Sequence, residues 1–260
     1  MLLIDADIIC YRVGFACQKT WYYLLEEGRS ISDFEGKTAL NNFLKENKLE
    51  ESDFEIASEL KVEPVENAYH SINMMMKTII DEVGEKYYRA YLTGKNNFRT
   101  TIYPAYKGGR KERPVLYQEI REYLINHWSA EVIDCMEADD MLGILQSKNP
   151  EDSIIASIDK DLDTIIGWHY NFVTKEKYFV TPEQAELCLY TQMLTGDSSD
   201  NVCGIRGIGS AKAKKILQGE EPEALAMSEY KKFYGKDWKE AWDCNYKLLR
   251  ILNEKETPFV

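Results

Sequence analysis

Eight acidic side chains in four groups carry the clearest chemistry in this chain. They are Asp5, then Glu137, Asp139 and Asp140, then Asp159 and Asp161, then Asp197 and Asp200. A ligand set made only of carboxylates suits a hard cation such as Mg²⁺ or Mn²⁺, and without a His/Cys set it disfavours structural zinc. So many carboxylates point to two ions roughly 4 Å apart, an arrangement that handles displacement at a phosphodiester. Each group also has a simpler reading. A lone Asp5 caps a turn, and Asp197 and Asp200 sit on a Gly/Ser-rich turn that water solvates. Acids in a first helical turn are favoured by the helix dipole, which accounts for one or two of Glu137–Asp140 but not for three. Glu137 and Asp140 are three apart and share a helix face. Asp159, Asp161 and Asp163 alternate, so an extended chain would put all three on one side, where they repel unless a cation neutralises them.

Cations fall in two places. Residues 103–114 read YPAYKGGRKERP, with Tyr106, Lys107, Arg110, Lys111 and Arg113 in a flexible basic and aromatic segment. Cations hold phosphates and tyrosine faces stack on bases, although most charge runs are merely solvated. The stretch from Leu194 to Leu217 reads LTGDSSDNVCGIRGIGSAKAKKIL. Its Gly204-Ile205-Arg206-Gly207-Ile208-Gly209 turn allows close backbone approach, and free amides at the following helix start, from Ser210, suit a phosphate. Lys212, Lys214 and Lys215 add charge behind it, and Ile208, Ala211 and Ile216 supply an apolar face.

Short strands and helices must position these groups. Met1–Ile4 is an apolar run of buried-strand length, and a carboxylate at such a strand's C-terminal end lies where open α/β sheets hold ligands. Ala68, Ile72, Met75, Met76, Ile79, Ile80 and Val83 recur at helical spacing. Tyr87–Leu92 reads as a strand with Thr93–Arg99 as its loop. Leu116 to His127 gives a helix with His127 packed on its apolar face. Ala130–Asp134 and Ser153–Ile158 read as strands, and 169–180 as a hairpin. Thr181-Pro182-Glu183-Gln184 is a capped helix start. A last helix runs through Trp238, Trp242, Leu248, Leu249 and Leu252 beyond a polar Gly219–Glu223 stretch. Residues 17–66 are the hardest to read: a strand and turn at Trp21–Gly28, then a charged, partly helical surface excursion.

The chain has 260 residues and a formal charge of −12, which argues against a simple polyanion binder. Bound divalent cations would offset that charge locally. No apolar run approaches the roughly 18 residues that span a bilayer, and the N-terminus does not read as a signal peptide. Six cysteines without CxxC spacing read as reduced thiols in a cytoplasmic setting.

Taken together, LLIDADIICYR, PAYKGGR, EADDMLGI, ASIDKDLDTI and LTGDSSDNVCGIRGIGSAKAKKIL resemble the structure-specific 5′ nuclease superfamily, and YKLLRIL resembles its closing helix. That superfamily includes flap endonucleases, polymerase 5′-nuclease domains and phage 5′→3′ exonucleases; the short basic segment and the excursion look most like the phage enzymes. The resemblance implies an α/β fold, a mainly parallel central sheet flanked by helices (PIN/5′-nuclease-like), with a helix–hairpin–helix. It implies a nuclease core over 1–195 and a helix–hairpin–helix region with a closing helix over 196–260.

By the same resemblance, Asp5, Glu137, Asp139 and Asp159 would hold one Mg²⁺ or Mn²⁺. Asp161, Asp197 and Asp200 would hold a second, with Asp159 a candidate to be shared between the two ions and Asp140 in support. Lys107 would polarise the scissile phosphate with Arg110 assisting, while Tyr106, Lys111 and Arg113 would contact DNA. Gly204, Arg206, Gly207, Gly209, Ser210, Lys212, Lys214 and Lys215 would grip the duplex backbone, with K⁺ at the turn. The implied activity is metal-dependent 5′→3′ hydrolysis of duplex DNA from ends, nicks or gaps in replication or repair, with 5′-flap and RNase H-like cleavage as related activities, in bacterial or phage-infected cytoplasm.

Two departures accompany the resemblance. Many relatives carry an acid after the second core strand, where this chain reads Leu92-Thr93-Gly94; Asp7 is a candidate to help there. Only about thirty residues separate Lys107 from Glu137, which favours duplex ends over threaded flaps. Three rivals stand beside this reading. LLIDADII and GDSSD loosely match a haloacid dehalogenase-type phosphatase. The missing acid allows a catalytically silent DNA-binding protein. A PIN-like fold allows an RNase.

Overall fold

The computed structural model describes residues 1–109, 112–219 and 221–254. In chain order the strands and helices are β1 (Leu2–Asp5), α1 (Ala6–Ala16), β2 (Gln18–Glu26), β3 (Arg29–Glu35), α2 (Gly36–Asn47), β4 (Glu55–Val62), α3 (Val65–Val83), β5 (Tyr88–Asn97), α4 (Phe98–Ile102), α5 (Tyr117–Trp128), β6 (Glu131–Cys135), α6 (Ala138–Lys148), β7 (Ile154–Ala156), β8 (Gly167–Asn171), β9 (Glu176–Val180), α7 (Pro182–Thr195), β10 (Gly196–Asp197), β11 (Val202–Cys203), α8 (Ser210–Ile216), α9 (Pro222–Tyr234) and α10 (Trp238–Leu249).

A six-stranded sheet in the order β6-β5-β1-β7-β8-β9 is the frame. The five strands from β6 to β8 run parallel, and β9 pairs antiparallel at the edge. β1 is the sequence Leu-Leu-Ile-Asp with every residue buried. A continuous apolar run of that length is what a central parallel strand covered on both faces requires. Because the parallel strands share a direction, their C-terminal ends lie at one edge of the sheet, and Asp5 is there.

The chain divides into two compact units. One comprises residues 1–8, 76–112 and 124–260; the other comprises 9–75 and 113–123. The division follows the excursion. In the first unit, Leu3, Tyr91, Leu142, Ile155 and Leu162 form a core layer at the sheet. Met193, Leu194, Ala213, Ala226, Tyr230 and Trp242 form another among the helices after β9. The second unit has its own antiparallel sheet, β3-β2-β4. Leu24, Leu40 and Leu44 make its small core, with Tyr22, Phe34, Phe43 and Ile56 packed around them. The expected surface excursion is thus largely a sheet closed by α2.

Several expectations shift locally. The stretch Thr93–Arg99 is not a loop: β5 continues to Asn97, whose side chain accepts from Arg99 N at 2.9 Å and caps α4. Strand β7 is three residues long, and Lys160–Thr164 forms a 3-10 turn. α9 fills the stretch beyond Gly219, with Pro222 at its first position. His127 is exposed, whereas the buried histidine is His169, whose Nε2 lies 2.8 Å from Ile165 O. α7 starts as expected, with Thr181 and Gln184 bonding reciprocally. No helix among the described residues is long and apolar enough to cross a membrane.

Candidate active site

The acids converge, within the first unit, at the C-terminal edge of the parallel sheet. A small cleft of about 30 Å³ is lined by Glu137, Asp139, Asp159, Asp161, Asp197 and Asp200, together with Arg99, Tyr106, Lys107 and Gln192. Leu248, Leu249 and Ile251 close its apolar side. A larger cavity of about 390 Å³, lined by α7 and residues 246–254, holds none of these acids.

Each carboxylate is seated by local structure. Asp5 ends β1, accepting from Ile8 N at 3.1 Å and Ser157 Oγ at 2.7 Å. The Ser157 hydroxyl in turn accepts from Asp159 N at 3.0 Å, so one serine links the ends of β1 and β7. Asp159 caps the 3-10 turn by accepting from Asp161 N. Asp161 accepts from Gln192 Nε2 on α7 at 2.6 Å. The turn changes one sequence expectation. Asp159 and Asp161 face the cleft, but Asp163 accepts from Tyr178 OH at 2.7 Å. The alternation of an extended strand fails once the chain coils.

Asp197 and Asp200 are carried by the β10/β11 hairpin after α7. Gly196 has φ +72°, and a Cβ there would lie 2.2 Å from Gly204 N and 2.4 Å from Val202 O. Only glycine allows the two backbones to approach so closely. Lys107, with φ +58°, is tied to the same hairpin. Its N–H donates to Asp200 O at 2.9 Å, and Asn201 Nδ2 donates to Ala105 O at 3.0 Å. The Lys107 ammonium pairs with Glu137 and lies 3.7 Å from Asp200 Oδ2.

Two expected roles change. Tyr106 is buried, so it offers no open face for stacking; its hydroxyl donates to Asp200 Oδ2 at 2.7 Å and lies 3.1 Å from Glu137 Oε2. Asp140 is fully buried and has both oxygens engaged. It accepts two bonds from Arg99, at 2.6 and 2.8 Å, and others from Glu137 N and Leu252 N. It anchors the start of α6 and does not face the cleft. Burial works against the Arg99 charge, but the Asp140 carboxylate more than offsets it and holds the guanidinium above its ordinary value. Arg99 also donates to Leu248 O and Arg250 O, pinning the segment after α10.

Sequence reading missed Arg99, Ser157 and Gln192. Arg99 carried no local signal, because Asn97, Thr100 and Thr101 beside it are polar. Ser157 and Gln192 had none, because the carboxylates they donate to, Asp5 and Asp161, are distant in sequence. Arg110 and Lys111 lie outside the described residues. Arg113 lies over the Tyr117 ring at 4.7 Å, in the second unit. Arg206, Gly207, Gly209, Ser210, Lys212, Lys214 and Lys215 are exposed, while Ile205, Ile208, Ala213 and Leu217 anchor the turn and α8. The apolar face is therefore Ile208, Ala213 and Leu217, with Ile216 packed against it as expected; Ala211 is exposed.

Electrostatics tests whether this set fits a cation. Among the described residues, no three acid, histidine or cysteine side chains are already oriented around one ion position. Lys107 sits between Glu137 and Asp200, and Asp159 and Asp197 bond to their own turns. Burial, then the charge of Asp7, pushes Asp5 up to about 7. Burial, then Asp159 and Asp197, pushes Asp161 up to about 7. Asp139 is held well above the carboxylate range by burial and by Asp5 and Asp159. Desolvated, mutually repelling carboxylates are what a hard divalent cation stabilises, so the donor set fits.

The family model of the 5′-3′ exonuclease N-terminal, resolvase-like domain matches residues 1–189. The chain belongs to this 5′-3′ exonuclease family. A 5′-3′ exonuclease of Buchnera aphidicola is 31% identical over 217 residues, covering 75% of each chain. DNA polymerase I of Bacillus subtilis is 31% identical over 199 residues, covering 67% of this chain. The match spans only 22% of that polymerase. Among solved structures, the phage T5 D15 protein co-crystallised with metal ions aligns with a TM-score of 0.56 at 15% identity, covering 95% of this chain and 85% of its own. The D15 flap endonuclease is also known in a pseudo-enzyme-product complex with DNA and metal ions, which aligns at TM-score 0.51 and 18% identity over 70% of this chain and 77% of that one. At such identities these likenesses concern the fold, and they agree with a mainly parallel sheet flanked by helices.

Proposed function

We propose that this family member hydrolyses phosphodiester bonds of duplex DNA in the 5′→3′ direction, from ends, nicks or gaps, with divalent cations bound at the acidic cleft. The observation that carries the reading is one cleft holding six carboxylates beside Lys107. Membership of the exonuclease family supports the reaction class. The T5 protein's complex with DNA and metal ions supports the substrate and cofactor. Asp5, Glu137, Asp139 and Asp159 would hold one Mg²⁺ or Mn²⁺, and Asp161, Asp197 and Asp200 a second. When bound, these ions supply Lewis-acid polarisation and charge neutralisation at the phosphate.

The chain's own groups do the remaining work. Lys107, whose ammonium lies 3.7 Å from Asp200 Oδ2, would neutralise a non-bridging phosphate oxygen. Tyr106 keeps Asp200 and Glu137 in place, and Arg99 with Asp140 fixes the start of α6. The exposed cations of α8 and the Gly204–Gly209 turn contact the phosphate backbone, with K⁺ as a candidate ion there. Their contacts set affinity and salt dependence more than rate. Arg110 and Lys111 would add to this binding, and the site of action is the cytoplasm of a bacterial or phage-infected cell.

The test is digestion of duplex labelled at its 5′ or 3′ ends, with Mg²⁺ or chelator, beside a 5′-flap substrate. Metal-dependent release of 5′-terminal nucleotides from wild type, lost in Asp159→Asn with duplex binding retained, is the expected result. Wild-type rates in Asp159→Asn would overturn the site. Binding without cleavage under any divalent ion would leave a DNA-binding protein of this fold.

A further inference from the structure

The neighbouring strands β6, β5, β1 and β7 end on one side of the sheet. Three of these ends carry acid at this edge: Glu137 and Asp139 follow β6 and Asp159 follows β7, all three lining the cleft, while Asp5 ends β1 next to Asp139. The ladder of β5 to β6 breaks after Thr93, at Leu92-Thr93-Gly94, with no acid. Nor is there room for one at Gly94. A Cβ there would lie 2.5 Å from Asp134 Oδ1 and 2.6 Å from Ile133 O. The Thr93 hydroxyl is committed, accepting from Ala138 N at 2.9 Å.

The gap is bridged from the adjacent strand. Asp7, in the first turn of α1, accepts from Thr93 N at 2.9 Å through Oδ2. The next residue, Ile8, donates to Asp5 Oδ1, so one helical turn seats both carboxylates. We propose that Asp7 is the carboxylate of the β5 strand end and helps hold the cation assigned to Asp5, Glu137 and Asp139. The proposal rests on the metal site proposed above. Accepting the Thr93 amide requires only an oxygen, and a neutral asparagine or serine would serve. What a neutral residue would not supply is negative charge beside a buried aspartate, an expensive arrangement unless a cation shares it.

The experiment is Mn²⁺ binding to the metal-free full chain, without DNA, by calorimetry and by electron paramagnetic resonance of free Mn²⁺. Asp7→Asn keeps the acceptor and removes the charge. It should weaken Mn²⁺ binding about tenfold or more, with metal-free melting unchanged or raised. Asp7→Asn/Thr93→Asp, which moves a carboxylate to the strand itself, should restore affinity. Asp134→Asn, at a carboxylate already held by the Lys95 and Asn96 amides, should bind as wild type. Asp7→Ser replaces any Asp7→Asn protein that does not fold. Wild-type affinity in Asp7→Asn, or no recovery in the double variant, overturns the assignment. Asp159→Asn separates the two readings: if it too binds like wild type, the metal site itself is wrong.

Discussion

Among the described residues, the buried charges of this protein all fall in the first of its two units. In the first, Asp5, Asp140 and Arg99 are taken almost wholly out of water at the edge of the parallel sheet. In the second, ion pairs stay wet: Lys19–Glu35 and Lys37–Glu51 keep about half of each side chain exposed. Exposed pairs contribute little to stability, and buried ones are tolerated only when fully engaged. Buried, like-charged carboxylates are costlier still, and nothing in folding alone calls for them. The contrast separates charge that merely solvates a surface from charge positioned for binding and chemistry.

Breaking the contrast should be most visible at Arg99. Asp140 is fully buried and bonded twice to that guanidinium. Arg99→Leu leaves the carboxylate uncompensated and should cost about 3–5 kcal/mol in chemical denaturation. Arg99→Leu/Asp140→Leu should recover much of that loss, because the pair's removal also removes its desolvation cost. Lys37→Ala in the second unit should change stability by less than about 1 kcal/mol. Equal losses from Arg99→Leu and Lys37→Ala would erase the distinction.

Next in size is the apolar core of the second unit. Leu24 and Leu40 are fully buried in a cluster of only three buried residues. Leu24→Ala should cost about 2–4 kcal/mol, read as faster amide exchange confined to residues 18–62. The rate constant of hydrolysis at saturating substrate should be unchanged. Loss of that rate constant in step with the exchange would show that the acidic edge depends on this core.

A smaller effect follows from the raised carboxylates. Asp5 and Asp161 stand at about 7 in the folded chain and have an ordinary value of 3.8. The folded state therefore binds more protons than the unfolded state between those values, and stability falls as pH rises across them. Melting of the metal-free protein should drop from pH 5 to pH 8, by an order of 1 kcal/mol per pH unit at most for each group. Mg²⁺ should restore it most at pH 8, where the carboxylates are ionised. Asp161→Asn should flatten the slope; a slope unchanged by that substitution and by Mg²⁺ would remove the electrostatic case for a cation.

The same contrast explains what the sequence could reveal. β1 was legible because a four-residue apolar run ending in aspartate has few other uses. α7 was legible because Thr181, Pro182 and Gln184 are local signals that act locally. The acid groups were legible because each sits at a strand or helix end, and local geometry carries it to the edge. For Asp140, spacing gave a face but not a partner: Arg99, forty-one residues earlier, claims it. Tyr106 misled for the same reason, since its hydroxyl finds Asp200 ninety-four residues away. β4 was missed because Glu55, Glu59 and Lys61 interrupt it, and its Leu60 and Val62 are substantially exposed, so the hydrophobic signal of a buried strand is weak there. His127 sits at helical spacing with Leu124 and Ile120, but it lies in the last turn of α5 and is exposed.

The finest comparison is between two exposed polar contacts of similar geometry. Tyr23 OH donates to Glu59 at 2.9 Å in the second unit, and Asn201 Nδ2 donates to Ala105 O at 3.0 Å in the first. Tyr23→Phe should change neither stability nor rate measurably, because water replaces such a bond at little cost. Asn201 differs because the carbonyl it holds belongs to the turn that presents Lys107. Its φ of +60° also makes alanine a poor probe, whereas glycine keeps that backbone and removes only the amide. Asn201→Gly should leave melting near wild type and lower kcat about tenfold with little change in KM, the cost of a cation placed loosely. In a Lys107→Ala background the same substitution should do nothing further, since the two act as one unit. Additive losses would mean that Asn201 acts elsewhere. An unchanged kcat would mean that the backbone bond from Lys107 N to Asp200 O holds the turn by itself.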